Sequence, residues 1–165
     1  MKIIFLDIDG VLNSSDFFIS NYEKVKELYN NNVDNLNSID YWLSRQMMDI
    51  DYDKLNILLN IIVETNAKVV ITSSWKKLKI FPYIVDELLK LGIPVIGYTV
   101  DNGSNRGYGI KRFLSENLVD KYVILDDDMF DDYDDEILSK LIKTNFYDDG
   151  LKAEHANEII KRLKK

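Results

Sequence analysis

Lys2-Ile3-Ile4-Phe5-Leu6-Asp7-Ile8-Asp9-Gly10-Val11-Leu12-Asn13 is the stretch on which the reading of this chain turns. Four apolar residues in a row, then two carboxylates one residue apart, then a glycine, describe a strand that stops at a charged turn. An all-apolar run this short suits a strand covered on both faces, as in a parallel sheet. In such sheets the chemistry lies just beyond the carboxyl ends of the strands. Asp7 and Asp9 stand there, and Gly10 lets the backbone turn tightly behind them.

Outward from this strand the pattern repeats. Residues 67–71 read as a second buried strand ending in Thr72-Ser73-Ser74, 93–97 as a third, 122–125 as a fourth ending in Asp126-Asp127-Asp128, and 140–144 as a short fifth. Helices are expected over 53–64, 82–91 (closed by Gly92), 108–117 and 153–163. Strands alternating with helices of this length predict an α/β protein, a parallel sheet with helices on both faces. Residues 1–165 read as one domain. The polar, asparagine-rich region at about 14–51, with one short helix near 22–29, reads as a small, largely loop-like insertion over the strand ends.

Composition narrows the function classes. The absence of cysteine excludes disulfides and thiolate metal sites and is compatible with a cytoplasmic location. No apolar stretch is long enough for a membrane span, and Asp7 and Asp9 interrupt the N-terminal apolar run too early for a signal peptide. The net charge of −7 argues at first against nucleic acid. Residues 126–136, however, hold eight of the 28 acids and no base, leaving 20 acids against 21 bases elsewhere. Partners bearing phosphate are therefore not excluded.

Four polar signals lie just past a strand or before a helix: Asp7 with Asp9, Thr72 with Ser73, Arg106, and Asp126 with Asp127. Singly each has a dull explanation, as a turn, a helix cap or a solvated charge. Together they meet the needs of phosphoryl transfer to a carboxylate. Two unit charges at about 4 Å repel by ~4 kcal/mol at an effective dielectric near 20. A divalent cation and hydrogen-bonding or positive groups must offset that repulsion.

The same residues resemble a known family. Asp7-Ile8-Asp9-Gly10-Val11-Leu12 resembles the first motif of the haloacid dehalogenase (HAD) superfamily of phosphatases, Thr72 its second motif, and Asp126-Asp127 its acidic fourth. Arg106 stands where that superfamily usually has lysine, with Lys111 and Arg112 as the other candidates. Thr72-Ser73-Ser74-Trp75-Lys76, Arg106-Gly107, Ile124-Leu125-Asp126-Asp127-Asp128 and Gly150-Leu151 are similar to the small HAD domain associated with RNA-repair proteins. The resemblance implies a three-layer, Rossmann-like fold and a Mg²⁺-dependent phosphohydrolase of phosphomonoesters. Asp7 would be the nucleophile, Asp9 the general acid and base, and Thr72 and Arg106 would bind and neutralise the phosphoryl group. Ser73, Ser74 and Lys76 are the accompanying substrate-binding candidates. Mg²⁺ would be held by Asp7, the backbone carbonyl of Asp9, and Asp126 or Asp127, with Asp127 favoured as the direct ligand.

Other features compete for roles. Lys76, Lys77, Lys79, Arg106, Lys111 and Arg112 could hold a polymer's phosphates, or could simply be solvated surface. Trp75 could stack on a base or pack against the sheet, and Tyr41 and Trp42 could roof the site. The run 131–136 reads as solvated, and His155 receives no role. A response-regulator receiver shares the aspartate pair, the threonine and the basic residue, but its phosphoacceptor follows the third strand, which here ends without aspartate. The expected substrate is a nucleotide or nucleic-acid end. The alternatives are a catalytically weak domain that binds phosphate ends, or a phosphatase of small metabolites or phosphoproteins.

Overall fold

The apolar runs become a five-stranded parallel sheet, of order β3-β2-β1-β4-β5, in a computed structural model that describes residues 1–164. The strands are β1 (Lys2–Leu6), β2 (Lys68–Ile71), β3 (Val95–Tyr98), β4 (Lys121–Asp126) and β5 (Leu141–Lys143). The helices are α1 (Ser15–Asn31), α2 (Ile39–Met47), α3 (Tyr52–Thr65), α4 (Phe81–Lys90), α5 (Arg106–Glu116), α6 (Asp135–Lys140) and α7 (Ala153–Lys164). β1 is central because its residues from Ile3 to Leu6 are fully buried and must be covered on both faces and both edges.

From β1 the chain steps outward through β2 to β3, then returns across the sheet to β4 and β5. Right-handed crossovers made in opposite directions put their helices on opposite faces. Accordingly, α3 and α4 pack with α7 against Ile4, Leu6, Val69 and Ile71, whereas α5 and α6 cover Ile3, Phe5, Val70 and Ile124. Leu55, Leu58 and Ile61 form the buried stripe that holds α3, each contributing ~1.5–3 kcal/mol by leaving water. On the other face Phe5 meets Phe113 and Tyr122 edge-on, at ring separations of 5.6 and 5.8 Å. The direction of the chain reverses between β1 and β4, which makes the carboxyl ends of these strands the topological switch point.

Register decides what meets there. Leu6 pairs with Ile71 on one side and Leu125 on the other, so Asp7, Thr72 and Asp126 stand abreast one residue later. The Thr72 N–H donates to the Leu6 carbonyl at 2.8 Å, and the Asp7 N–H to the Leu125 carbonyl at 2.9 Å.

Two expectations are corrected. The insertion is mostly helical: α1 is 17 residues long, not the short helix over 22–29, and α2 follows the asparagine-rich turn. Its side-chain caps are Ser14, which accepts from the Phe17 N–H, and Ser38, which accepts from the Tyr41 N–H. Within α2, Tyr41 is buried while Trp42 stays exposed. The run 131–136 is not simply a wet loop. Asp134 caps α6 through the Ile137 N–H, Tyr133 is buried, and Asp132 accepts from the Tyr108 N–H at 2.7 Å.

Candidate active site

The turn after β1 is built by its own residues. Gly10 has φ +72°, and a Cβ there would run into the Asp127 side chain. The Gly10 N–H donates to Asn13 Oδ1 at 2.8 Å, and its carbonyl accepts from the Thr144 hydroxyl at 2.7 Å. Thr144 lies just past β5, so the turn is fastened to the far side of the sheet. Asp7 and Asp9 therefore project from a fixed backbone, and Asp127 fits closely over Gly10.

Asp7 is buried, and burial raises its carboxyl to about 6, with the neighbouring Asp126 carboxylate adding to the rise. Arg106 opposes this from 3.4 Å. Asp126 is fully buried and is also pushed upward by burial, although Arg106 Nη1 donates to its Oδ2 at 2.5 Å. Burial raises Asp127 too, followed by the charge of Asp7. Burial works against the charge of Arg106, but Asp7 and Asp126 outweigh it and raise its affinity for the proton. The guanidinium lies 4.3 Å over the Phe130 ring, so it is gripped on its face as well as at its edge.

Oxygens of Asp7, Asp126 and Asp127 lie within 4.8 Å of one another. Three carboxylates facing one guanidinium leave two negative charges in a largely buried pocket. A hard divalent cation with oxygen ligands fits both that charge and that donor set. The Asp9 carboxylate is not part of this triad. It accepts from Asn13 Nδ2 at 3.0 Å and from the Trp75 indole N–H at 2.9 Å.

Thr72 is fully buried and its hydroxyl has no hydrogen-bond partner among the described residues. A buried hydroxyl so placed costs ~1–3 kcal/mol, an expense a native fold keeps where a ligand will use the group. Ser73, also fully buried, lies close enough to Asp7 to pull against the rise in its proton affinity, and its hydroxyl accepts from the Trp75 N–H.

The remaining candidates separate. Ser74 is exposed at the start of a short 3₁₀ turn over Ser74–Lys77. The Lys76 ammonium is buried and committed to the Thr72 carbonyl (3.0 Å), the Thr99 hydroxyl (2.8 Å) and Asp101 (2.6 Å), so it is spent within the protein rather than offered to a polymer. It ties the end of β2 to the loop that leads into Arg106. Trp75 is 4% exposed, which removes it as a stacking platform for a base. Lys111 pairs with Asp134 and Arg112 with Glu116, both at the surface, so Arg106 alone of the three faces Asp7. Lys77 and Lys79 are exposed. His155 accepts from the Lys152 N–H through Nδ1 at the start of α7.

Sequence reasoning missed Asn13, Phe130 and the Arg45–Asp49 pair at 2.6 Å. Asp49, held high by burial, also feels the charge of Asp9, which places the end of the insertion beside the turn after β1. Asn13, four residues from Asp9, carried a local signal; Phe130 and Asp49 carried none.

A family model described as "HAD domain in Swiss Army Knife RNA repair proteins" matches residues 3–156. No curated protein and no solved structure matches the chain.

Proposed function

Because the chain belongs to the family of HAD domains in Swiss Army Knife RNA repair proteins, we propose that it hydrolyses a phosphomonoester through a phosphorylated Asp7. The observation that carries this reading is the row of Asp7, Thr72 and Asp126 across three neighbouring strands, with the unpartnered Thr72 hydroxyl beside a buried carboxylate. Asp7, Asp126 and Asp127 would hold Mg²⁺, together with the Asp9 carbonyl that the resemblance implies. When bound, the cation would supply positive charge that lets an anionic phosphate approach an anionic nucleophile.

The chain's own residues divide the work. An Asp7 oxygen attacks phosphorus and the bond to the leaving oxygen breaks, that oxygen taking the proton of the Asp9 carboxyl. The Asp9 carboxylate then takes a proton from water as the water oxygen attacks the same phosphorus. The acyl phosphate bond breaks, freeing inorganic phosphate and restoring Asp7. The Thr72 hydroxyl donates to a phosphoryl oxygen in both steps, and Arg106 offsets the charge that builds there. Arginine suits the task because it stays charged and is pre-organised as a fork.

For the substrate, the association of the family with RNA repair supports a phosphate at a nucleic-acid or nucleotide end. The test is a panel of nucleotides, oligonucleotide ends, sugar phosphates and phosphopeptides with Mg²⁺. Phosphate release that disappears in Asp7→Asn, and is greatest for nucleic-acid ends, is the expected result. Binding without turnover across the panel would instead make this a domain that only recognises phosphate ends.

A further inference from the structure

Asp9 is held by two donors, one on each oxygen. Asn13 Nδ2 donates to Oδ1 at 3.0 Å, and the Trp75 indole N–H donates to Oδ2 at 2.9 Å from 66 residues away in sequence. The two anchors differ in kind. Asn13 belongs to the same turn as Asp9 and moves with it. Trp75 sits in the turn after β2 and packs into the main core at 4% exposure, so the direction of its N–H is fixed by the sheet. Its backbone is fixed as well, since the Ser73 hydroxyl accepts its N–H at 3.4 Å and the Lys76 ammonium closes the same turn onto the Thr72 carbonyl at 3.0 Å.

An aspartate on a turn has several staggered rotamers open to it. The proposed reaction needs Asp9 in one place twice, first to protonate the leaving oxygen and then to deprotonate the water that enters on the same side. Each carboxylate oxygen has two acceptor positions, so one donor apiece leaves a free position on each for the travelling proton. We propose that Trp75 is a positioning residue for Asp9: its indole N–H fixes the carboxyl where the leaving group departs and water arrives. This inference rests on the function proposed above. Trp75 acts through Asp9 and touches neither phosphorus nor substrate.

The consequence is a dependence on the leaving group. An alkoxide must be protonated as it leaves, whereas p-nitrophenolate departs without help. General acid catalysis is worth on the order of 10²–10⁴-fold where it is needed. Trp75→Phe keeps an aromatic ring in the core and removes the donor. At saturating Mg²⁺ it should lower kcat/KM, which reports the step in which the leaving group departs, by roughly 10–100-fold for glycerol 2-phosphate or a nucleoside 3′-phosphate, while kcat/KM for p-nitrophenyl phosphate falls only about 3-fold or less. The ratio between the two substrates is unaffected by how much of the variant is folded. An equal fall for both would reduce Trp75 to a packing residue and overturn the proposal.

A second readout needs no turnover. The chain has two tryptophans, so an ¹H–¹⁵N spectrum carries two indole signals. The Trp75 indole proton should lie downfield, and in Asp9→Ala it should move upfield while that of Trp42 stays in place. An unmoved Trp75 signal overturns the contact itself. A wild-type protein that hydrolyses neither substrate overturns the proposed function, and the positioning role with it, even where the indole shift is observed.

Discussion

Replacing Thr72 by valine should make the protein more stable and nearly inactive. The two side chains have almost the same shape, and Thr72 is fully buried with its hydroxyl unpartnered among the described residues. Burying an unsatisfied hydroxyl costs ~1–3 kcal/mol, so exchanging it for a methyl should return about that much. With a urea slope of about 2 kcal/mol per molar, the unfolding midpoint should rise by ~0.5–1.5 M. Catalysis should move the other way, because loss of one donor to a developing oxyanion typically lowers kcat by ~10²–10³-fold. Urea unfolding followed by far-UV circular dichroism, alongside phosphate release from p-nitrophenyl phosphate with Mg²⁺, measures both on one preparation. A valine variant that loses more than ~1 kcal/mol would show that the hydroxyl is satisfied within the fold. A variant with unchanged kcat would show that no phosphoryl oxygen meets it.

Other perturbations report on the rest of the site. Arg106→Ala leaves the buried Asp126 and Asp7 without their counter-charge. It should destabilise the protein by ~3–5 kcal/mol in EDTA, and by less in millimolar Mg²⁺ if the same carboxylates bind the ion; an identical deficit with and without Mg²⁺ in urea melts would argue against that cation site. Gly10→Ala forces a side chain onto a left-handed residue, straining the turn by ~1–2 kcal/mol, and drives it against Asp127. Its Mg²⁺ affinity, read from calorimetric titration, should fall by about tenfold or more, and unchanged affinity would remove Asp127 from the ligands. His155 should make the fold acid-sensitive. Burial lowers its proton affinity from the ordinary 6.5, the Lys152 ammonium adding to the effect and the Glu154 and Asp148 carboxylates opposing it, while Nδ1 is engaged as an acceptor. Its contribution is therefore complete above pH 6.5 and lost as pH falls below that. Thermal melts from pH 7.5 to 5 should show a steeper loss for the wild type than for His155→Asn, and parallel curves would dismiss the effect.

The parts of the site legible in the sequence are those where a strand ends. The core of a buried parallel strand is apolar, so the first polar residue after it marks the strand's end, and Asp7, Thr72 and Asp126 announced themselves in that way. Register then aligned them without further information. The insertion was harder to read because helical periodicity shows only when a helix buries a stripe. In α1 the sole buried residue is the polar Asn21, and its exposed face includes Ile19 and Tyr22. Its signals were the serine caps. α6 hid in the acidic run, where Asp134 three residues before Ile137 was the readable cap. The fate of Lys76 and Trp75 was not legible at all. Which buried partner a lysine or an indole finds depends on the approach of segments 25 and 66 residues away, and no local pattern encodes that distance.

The most direct test of the account is to trap the phosphorylated enzyme. Wild-type protein mixed with Mg²⁺ and a hydrolysed phosphomonoester, quenched in acid and reduced with borohydride, should yield a peptide in which Asp7 alone has become homoserine. Turnover with an unmodified Asp7, or undiminished hydrolysis by Asp7→Asn, would contradict it.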